Sequence, residues 1–423
     1  MERDLIYDWN TAGDSDRPAR PRRCLLDDET LRDGLQSPSV RDPNIGEKIE
    51  ILHLMEALGI DSVNIGLPGA GARAVADAEQ LAREIVAAKL RIRPNCAART
   101  VEADIRPIAE ISQRVGIAIE AATFIGSSPI RRYAEDWTTD FLLRQTEFAV
   151  KFARSLGLPV MYVTEDTVRC DPQTVKKLYA TAIHHGARAL VLCDTVGHAT
   201  PTGTQSLVRF VLNEVVNPSG AQVRVDWHGH NDRGLAVANS LAAFAAGADQ
   251  VHGCALAIGE RVGNAPMDQL LVNLKLLGWI DRDLSKLRDY CVKASHATGV
   301  PIPSNYPVVG SDAFRTGTGV HAAAVIKAYK KNDVHLANTV YSGVPSHLFG
   351  LDQVIEIGPM SGKSNVIYWL EKRGIPATEE RVERIFNAAK QSDRLLTEEE
   401  TYALCGEGVP VPSGRGHKVA RSS

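Results

Sequence analysis

The chain has 423 residues, which is enough for one large domain and a smaller companion. Charged residues make up 23% and hydrophobic residues 44% of it, so the composition is globular and excludes a disordered or fibrous protein. The formal net charge is 48 − 51 = −3, which argues against nucleic acid as the main partner.

The sequence also bears on where the protein resides. No apolar run approaches the roughly 20 residues that span a bilayer, and residues 1–23 lack the apolar centre of a secretory signal. The seven cysteines are scattered and never in CxxC spacing, which favours a reducing compartment and argues against a cysteine zinc site. We therefore expect a cytoplasmic enzyme without membrane or nucleic-acid partners.

A regular strand–helix rhythm follows a predicted flexible arm over residues 1–23. Strand-like runs begin near residues 24, 61, 91, 116, 159, 189, 222 and 249. A helical pattern of apolar residues follows each run, for example over 46–58, 75–88, 139–156 and 173–185. Eight such units over 24–279 match the roughly 250 residues of a (β/α)8 barrel. An open doubly wound sheet is the alternative, but no GxGxxG follows the first strand. We predict an α/β protein with a TIM barrel.

The rhythm stops after Trp279. Helical patterns over 284–298, 319–330 and 379–393 then alternate with connections rich in proline and glycine. We expect a mainly helical C-terminal region over 280–405 and a disordered tail over 406–423.

Chemically active side chains should lie at the carboxyl ends of the barrel strands. His228 and His230 end the seventh strand, and a His-x-His pair on a strand places both imidazoles on one face. Asp33 follows the first strand, which only the eighth strand separates from the seventh. Two imidazoles and one carboxylate suit Zn, Mn, Co or Mg, and Asn264 can add a neutral oxygen directly or through water. Arg32 is placed to hold a carbonyl oxygen that gains negative charge.

The simpler reading is that His228 and His230 only line a polar barrel mouth and that Arg32 is a solvated charge. The coincidence of an Arg-Asp pair, a His-x-His pair and a third polar loop at strand ends favours the metal site.

Three separated motifs resemble the signatures of 2-isopropylmalate, homocitrate and citramalate synthases, which are metal-dependent barrels that perform Claisen condensations. They are Glu29-Thr-Leu-Arg-Asp-Gly-Leu-Gln-Ser37, His228-Gly-His-Asn-Asp-Arg-Gly-Leu-Ala-Val-Ala-Asn239 and Gly259-Glu-Arg-Val-Gly-Asn264. The resemblance spans roughly residues 24–370. The hydroxymethylglutaryl-CoA lyases share the first motif, but their Gly/Cys-rich loop after the last strands is not found here.

The resemblance implies that acetyl-CoA condenses with a 2-oxo acid to give a 2-alkylmalate and CoA. Asp33, His228 and His230 would hold the divalent metal with Asn264 nearby, and the metal would chelate the 2-oxo acid. Arg32 would stabilise the developing alkoxide. The acceptor pocket would be lined by Gln36, Glu165 and Thr195.

The base that forms the acetyl-CoA enolate comes, in this family, from the partner subunit's second region. Gly317-Thr-Gly-Val-His321 resembles the family's Gly-x-His, so His321 is the candidate base, although it can also be an ordinary helix-start histidine. Tyr341 matches the assisting tyrosine by its position, and Tyr329 is the alternative. Ser361-Gly-Lys363 also resembles a family segment. The resemblance therefore implies a homodimer with shared active sites.

Several pocket positions depart from the family pattern. Ala122 stands where a histidine is usual and Val163 where a serine is usual, while homocitrate synthases place an arginine near Met161. A second carboxylate on the acceptor would then be buried without a partner, which is costly. We expect 2-oxoisovalerate or another acceptor with an aliphatic or aromatic side chain. We also expect no leucine inhibition through the large C-terminal domain of many isopropylmalate synthases, because the chain ends too early for it.

Three other functions compete with this one. A homocitrate or citramalate synthase differs in the acceptor. A metal-dependent lyase or aldolase of the hydroxymethylglutaryl-CoA lyase type runs the carbon–carbon step in reverse and releases no free thiol from acetyl-CoA. A catalytically silent paralogue would serve only as a binding subunit.

Overall fold

The computed structural model describes residues 5–10, 21–406 and 409. Within residues 21–406, eight parallel strands close a barrel in chain order, each paired with its neighbour and the eighth with the first. The strands are β1 (Leu25–Asp28), β2 (Ser62–Asn64), β3 (Arg93–Arg99), β4 (Glu120–Gly126), β5 (Val160–Glu165), β6 (Ala189–Asp194), β7 (Arg224–Gly229) and β8 (Gln250–Gly253). The predicted (β/α)8 fold class is confirmed.

The connecting helices are α1 (Ile45–Ala57), α2 (Ala72–Ala87), α3 (Glu102–Val115), α4 (Pro129–Ala134), α5 (Thr139–Ser155), α6 (Pro172–His184), α7 (Pro201–Val211), α8 (Asn217–Ser219), α9 (Ala236–Ala246) and α10 (Met267–Leu276). Side-chain caps fix several of the helix starts. The side chains of Asn44, Thr138, Asp171 and Thr200 each accept a hydrogen bond from the backbone N–H three residues on. Within the described residues no helix is long and apolar enough to cross a membrane.

One strand prediction was misplaced. The fourth strand was expected to begin near residue 116, but β4 begins at Glu120. Gly116 instead ends α3 in the left-handed conformation, with φ of 76°, and its N–H bonds the carbonyl of Ser112. A helix cap at a glycine therefore occupies the start of the β-rich run.

The chain divides into two compact units. Among the described residues, the first unit holds 10 and 21–301, and the second holds 5–9, 302–406 and 409. The predicted boundary lay after Trp279; α11 (Leu287–Thr298) belongs instead to the barrel unit, because the Tyr290 hydroxyl donates to Asp28 at the end of β1. Most of the predicted arm (1–23) and tail (406–423) lies outside the described residues.

The second unit is mainly helical. Its elements are β9 (Arg315–Thr316), α12 (Gly319–Lys330), α13 (Val334–Thr339), β10 (Val354–Ile355), α14 (Lys363–Lys372), α15 (Glu379–Gln391) and α16 (Glu398–Ala403). One apolar cluster packs α12 against α13 and β10, around Val325 and Ala337. Another packs α14, α15 and α16 around Trp369, Ile385 and Tyr402. The predicted helix over 319–330 coincides with α12.

The two sides of the barrel interior differ in polarity. Around β1, β2, β3 and β8 it is polar, because Asp27 accepts hydrogen bonds from Ser62 and Asn95, and Gln250 donates to Ser62. Across β4, β5 and β6 it is an apolar cluster, hereafter the apolar wall. Its buried members are Ala122, Met161, Ala189, Val191 and Cys193, with the half-buried Val163 against them. The barrel thus offers charge compensation on one side and an apolar surface on the other.

Asp28 should make the stability of the barrel unit depend on pH. Burial raises the pKa of its carboxyl from 3.8 to about 7, although Thr30 and Tyr290 hydrogen-bond to it. A raised carboxyl pKa means that its contribution is fully present below about pH 4 and is lost as the pH rises through about 7. Asp28→Asn removes this loss. The difference in free energy of unfolding, variant minus parent, should increase between pH 4 and 7 by up to about 1.4 kcal/mol per pH unit.

Urea unfolding at several pH values measures this difference. Asp104→Asn is the matched control. Burial alone would raise the pKa of Asp104, but the Arg99 ion pair lowers it instead, so this variant should show no such slope. A difference between Asp28→Asn and the parent that stays constant from pH 4 to 7 would contradict the prediction.

Candidate active site

The carboxyl ends of β1 and β7 bring together three of the four residues predicted to bind metal, and Asn264 is the fourth. Asp33 lies in the turn after β1, His228 in β7, and His230 directly after it. Asp33 Oδ2 is 3.7 Å from Nε2 of both histidines, whose Nε2 atoms are 3.4 Å apart. One ligand atom from each residue lies within 4.8 Å of the other two.

These side chains carry unsatisfied polar atoms, as a metal site requires. Asp33 Oδ2 and Asn264 Oδ1 are buried and have no hydrogen-bond partner among the described residues. Asn264 lies opposite His230 in an antiparallel bridge, in which Asn231 N donates to Gly263 O and Ala265 N donates to Gly229 O. Its side-chain Nδ2 donates to the carbonyl of Ile258 at 3.1 Å. Burial lowers the pKa of His228 to about 4 despite nearby carboxylates, so its imidazole is neutral and free to donate a lone pair. The donor set fits a divalent cation.

The loop that carries Asn264 is tightly folded. Gly259 and Gly263 have φ of 151° and 89°, and a Cβ on Gly263 would lie 1.6 Å from the carbonyl oxygen of Ala257. A Cβ on Gly259 would lie 2.3 Å from Asn264 Nδ2. Leu256 and Ala257 adopt φ of 54° and 57°, which is strained for residues with a Cβ. The glycines of this motif are therefore needed for close backbone approach around Asn264.

Arg32 is held between two carboxylates. Its Nη2 pairs closely with Glu29, and its Nη1 donates to Asp33 Oδ1 at 3.0 Å. Burial alone would lower the pKa of Arg32, but these carboxylates raise it, so the guanidinium is charged. Its Nε is buried and has no partner in the described part of the chain. Arg32 can therefore still donate a hydrogen bond to a bound oxygen.

Sequence analysis missed Glu29 and His252. Glu29 Oε1 lies 3.1 Å from Nδ1 of His252, and Glu29 Oε2 lies 3.5 Å from Nδ1 of His228. Burial alone would lower the pKa of His252, but Asp27, Asp226 and Glu29 raise it to about 10. The sequence held two weak signals, an acidic run Asp27-Asp28-Glu29 where β1 ends and a polar–apolar alternation Gln250-Val251-His252 in β8.

The remaining predicted pocket residues of the barrel unit lie at its mouth. Glu165 ends β5, and burial raises the pKa of its carboxyl. Glu165 and Thr195 line one cleft of about 350 Å³, whose other walls are Ile130, Arg131, Ala134, Asp166, Arg169 and Val196. Thr195 Oγ1 accepts a hydrogen bond from the backbone of Asp166 at 2.8 Å. Gln36 is exposed at the end of a single 3-10 turn, Gly34–Gln36. The predicted Ala122 and Val163 both belong to the apolar wall.

His321 and Tyr341 meet within the second unit. Their ring centroids are 4.2 Å apart at an interplanar angle of 30°, and both side chains are exposed. Tyr329, the alternative partner, stacks instead on Tyr368 at 5.9 Å. The segment before His321 is fastened by Ser361, whose hydroxyl donates to the carbonyl of Gly317 at 2.7 Å. The structure therefore pairs His321 with Tyr341.

Comparison with known proteins agrees with this geometry. The sequence model of the HMGL-like family matches residues 23–291. The 2-isopropylmalate synthase of Pyrococcus abyssi is 32% identical over 418 residues, which cover 93% of this chain and 80% of that protein. The chain belongs to the HMGL-like family. Within it, the relatives place this chain with the 2-isopropylmalate and homocitrate synthases, as the motifs predicted.

Two further proteins are similar to this chain. A homocitrate synthase of Methanopyrus kandleri is 32% identical over 375 residues, which cover 88% of each chain. The solved HMG-CoA lyase of Bacillus subtilis covers 68% of this chain and 97% of its own, with a TM-score of 0.56 at 22% identity. The lyase shares the HMGL-like barrel fold.

The packing around Gly263 gives a stability prediction. Gly263→Ala must displace the carbonyl of Ala257 and should lower the free energy of unfolding by about 3 kcal/mol or more. Gly278→Ala is the matched control. Its φ is 68°, but nothing lies within 4 Å of the added Cβ, so only the left-handed backbone cost of about 1 kcal/mol applies. Urea unfolding of both variants measures the costs, and equal costs would contradict the close packing of this loop.

Proposed function

We propose that this protein is an acyltransferase that condenses acetyl-CoA with a 2-oxo acid. A carbon–carbon bond forms between the acetyl methyl carbon and the keto carbon, and water cleaves the thioester to release CoA and a 2-alkylmalate. The observation that carries the proposal is the cluster of Asp33, His228 and His230 beside the charged Arg32, in a chain similar to 2-isopropylmalate synthases.

Asp33, His228 and His230 would hold a divalent cation, and Asn264 Oδ1 would contribute directly or through water. A bound cation supplies Lewis acidity that polarises the keto group of the acceptor. The donors do not distinguish Mg, Mn, Zn and Co, because imidazole and carboxylate suit all of them.

Arg32 would stabilise the oxygen on which negative charge develops, because it is charged and its Nε is unpartnered within the described residues. Glu165, Thr195 and Gln36 would bind the acceptor at the mouth. Burial raises the pKa of the Glu165 carboxyl, which lies at the mouth with Thr195 in the same cleft.

The acceptor would be 2-oxoisovalerate or another 2-oxo acid with an apolar side chain. The apolar wall, which includes Ala122, Met161 and Val163, presents no charged or hydrogen-bonding side chain apart from the Cys193 thiol. A distal carboxylate on the acceptor would lose its hydration there without gaining a partner. This disfavours 2-oxoglutarate, the acceptor of a homocitrate synthase.

His321, assisted by Tyr341, would remove a proton from the acetyl-CoA methyl group. The contact between the two rings supports their acting together, since each orients the other. By the family resemblance they would serve the active site of the partner subunit in a homodimer.

The direct test is thiol release from acetyl-CoA with Mn²⁺ or Mg²⁺ across a panel of 2-oxo acids. The panel runs from pyruvate and 2-oxobutyrate through 2-oxoisovalerate to phenylpyruvate and 2-oxoglutarate. We expect release with an aliphatic or aromatic acid. Absence of thiol release across the panel, combined with cleavage of a hydroxyacyl-CoA, would replace the proposal with the lyase function.

Removing a metal ligand should abolish both binding and turnover. Asp33→Ala or His230→Ala should weaken Mn²⁺ binding by at least about 100-fold, because each removes one of three strong donors, and should leave no measurable thiol release. His53→Ala is the matched control, since His53 is exposed on α1 and pairs with Glu84. Undiminished Mn²⁺ binding by either ligand variant would refute the site.

His321→Ala should separate binding from chemistry. The variant should retain Mn²⁺ and 2-oxo acid binding but lose thiol release by about 100-fold or more, because general-base catalysis contributes about that much. His347→Ala, an exposed histidine of the same unit, should leave turnover unchanged. Mixing His321→Ala with Asp33→Ala should restore partial activity in hybrid dimers. No restoration after verified subunit exchange would contradict shared active sites.

A further inference from the structure

Glu29 is a second carboxylate, besides Asp33, that lies against both Arg32 and His228. It pairs with Arg32, and its Oε2 faces Nδ1 of His228, the imidazole nitrogen opposite the one that faces Asp33. Glu29 is almost fully buried, at 4% exposure. A metal-ligating histidine generally needs a second partner on its other nitrogen to fix its tautomer and orientation. Glu29 occupies that place for His228.

His252 holds Glu29 from the opposite side. Its Nδ1 lies 3.1 Å from Glu29 Oε1, so the two carboxylate oxygens of Glu29 are divided between His252 and the Arg32–His228 side. The Nε2 of His252 lies 3.6 Å from Asp226, which in turn accepts hydrogen bonds from Nε and Nη2 of Arg224. Arg224 also pairs with Glu120 at 3.0 Å. Charges of opposite sign thus alternate from β4 to β1 through the barrel interior.

This arrangement explains how one guanidinium stays fixed beside the metal ligands. Arg32 has both terminal nitrogens engaged, one by Glu29 and one by Asp33. Loss of the Glu29 carboxylate would free Nη2 and would leave His228 Nδ1 without a facing acceptor. The His228 imidazole and the Arg32 guanidinium would then both lose a contact that fixes their orientation.

We propose that Glu29, held by His252, is a positioning residue that orients His228 for metal binding and Arg32 for binding the acceptor oxygen. The part of this inference that concerns Arg32 rests on the proposed function. The part that concerns metal binding by His228 does not. Glu29, His228 and His252 also lie close enough to form a metal-binding group themselves, and that alternative is an outcome of the test.

The test is Mn²⁺ affinity, measured from the EPR signal of the free ion, for the full-length protein without substrates. Glu29→Gln keeps the size of the side chain and removes its charge. We expect a 10- to 100-fold weaker Kd, about the usual cost of losing a partner of a ligating histidine. His252→Gln should weaken binding in the same direction, and the double variant should bind no worse than Glu29→Gln, since His252 acts through Glu29.

Asp104→Asn is the control for losing a buried, arginine-paired carboxylate, because Asp104 is 1% exposed and pairs with Arg99. It should bind Mn²⁺ like the parent. If Glu29→Gln does not fold, His252→Gln alone decides, since weakened binding is still expected. In the thiol-release assay at saturating Mn²⁺, Glu29→Gln should raise KM for the 2-oxo acid and leave KM for acetyl-CoA unchanged. A loss of folded protein would not reproduce this, because it lowers apparent kcat and leaves both KM values unchanged.

Three results would overturn the inference. One is a parent-like Mn²⁺ Kd in Glu29→Gln. Another is two bound Mn²⁺ per parent chain with one lost in the variant, which would make Glu29 a ligand. The third is no Mn²⁺ binding by the parent. A parent that binds Mn²⁺ but releases no thiol with any acid would instead refute the proposed function, and the Kd comparison would still decide the role of Glu29.

Discussion

Charges buried inside a barrel must face opposite charges, because an isolated ion loses most of its hydration there. The barrel unit meets this constraint with a chain of ion pairs. It begins at Glu120 on β4 and passes through Arg224, Asp226 and His252 to Glu29 at the end of β1. The candidate metal ligands lie at the end of this chain of ion pairs. Their orientation therefore depends on charge compensation deep in the barrel as much as on the turns that carry them.

The same interior is divided by chemistry, and the division bears on the acceptor. Asp226, His252 and Asp27 contribute charges from β7, β8 and β1. Strands β4, β5 and β6 contribute the apolar wall, and Glu120 at the start of β4 is the exception that faces Arg224. Under the proposed function, the acceptor would present its keto acid to the charged side and its side chain to the apolar wall. A short or branched apolar chain satisfies both sides. A second carboxylate directed against the apolar wall would lose its hydration without gaining a partner there.

Much of the site could be predicted because it follows from local rules. The His228-x-His230 spacing on a strand sets two imidazoles on one face, and the closed barrel brings β1 next to β8 and so near β7. Glu29 and His252 were missed for the opposite reason. They are 223 residues apart, and their contact depends on the parallel register that sets Asp27 beside His252. A single sequence does not show that register.

Two other differences between prediction and structure have identifiable causes. The start of β4 was obscured because a glycine that ends α3 sits in a β-rich run, so cap geometry outweighed composition. The length of the barrel unit was underestimated because Tyr290, 262 residues from Asp28, ties α11 to β1 through a buried hydrogen bond. In contrast, α12 follows an unambiguous helical pattern after glycines, and its bounds agreed with the prediction.

The most direct test of the account is a crystal structure of the protein grown with Mn²⁺ and an apolar 2-oxo acid, with anomalous data collected for manganese. The account predicts a single anomalous peak bounded by Asp33, His228 and His230, with the acid's side chain against the apolar wall. A peak between Glu29 and His252, or no peak at saturating Mn²⁺, would contradict it.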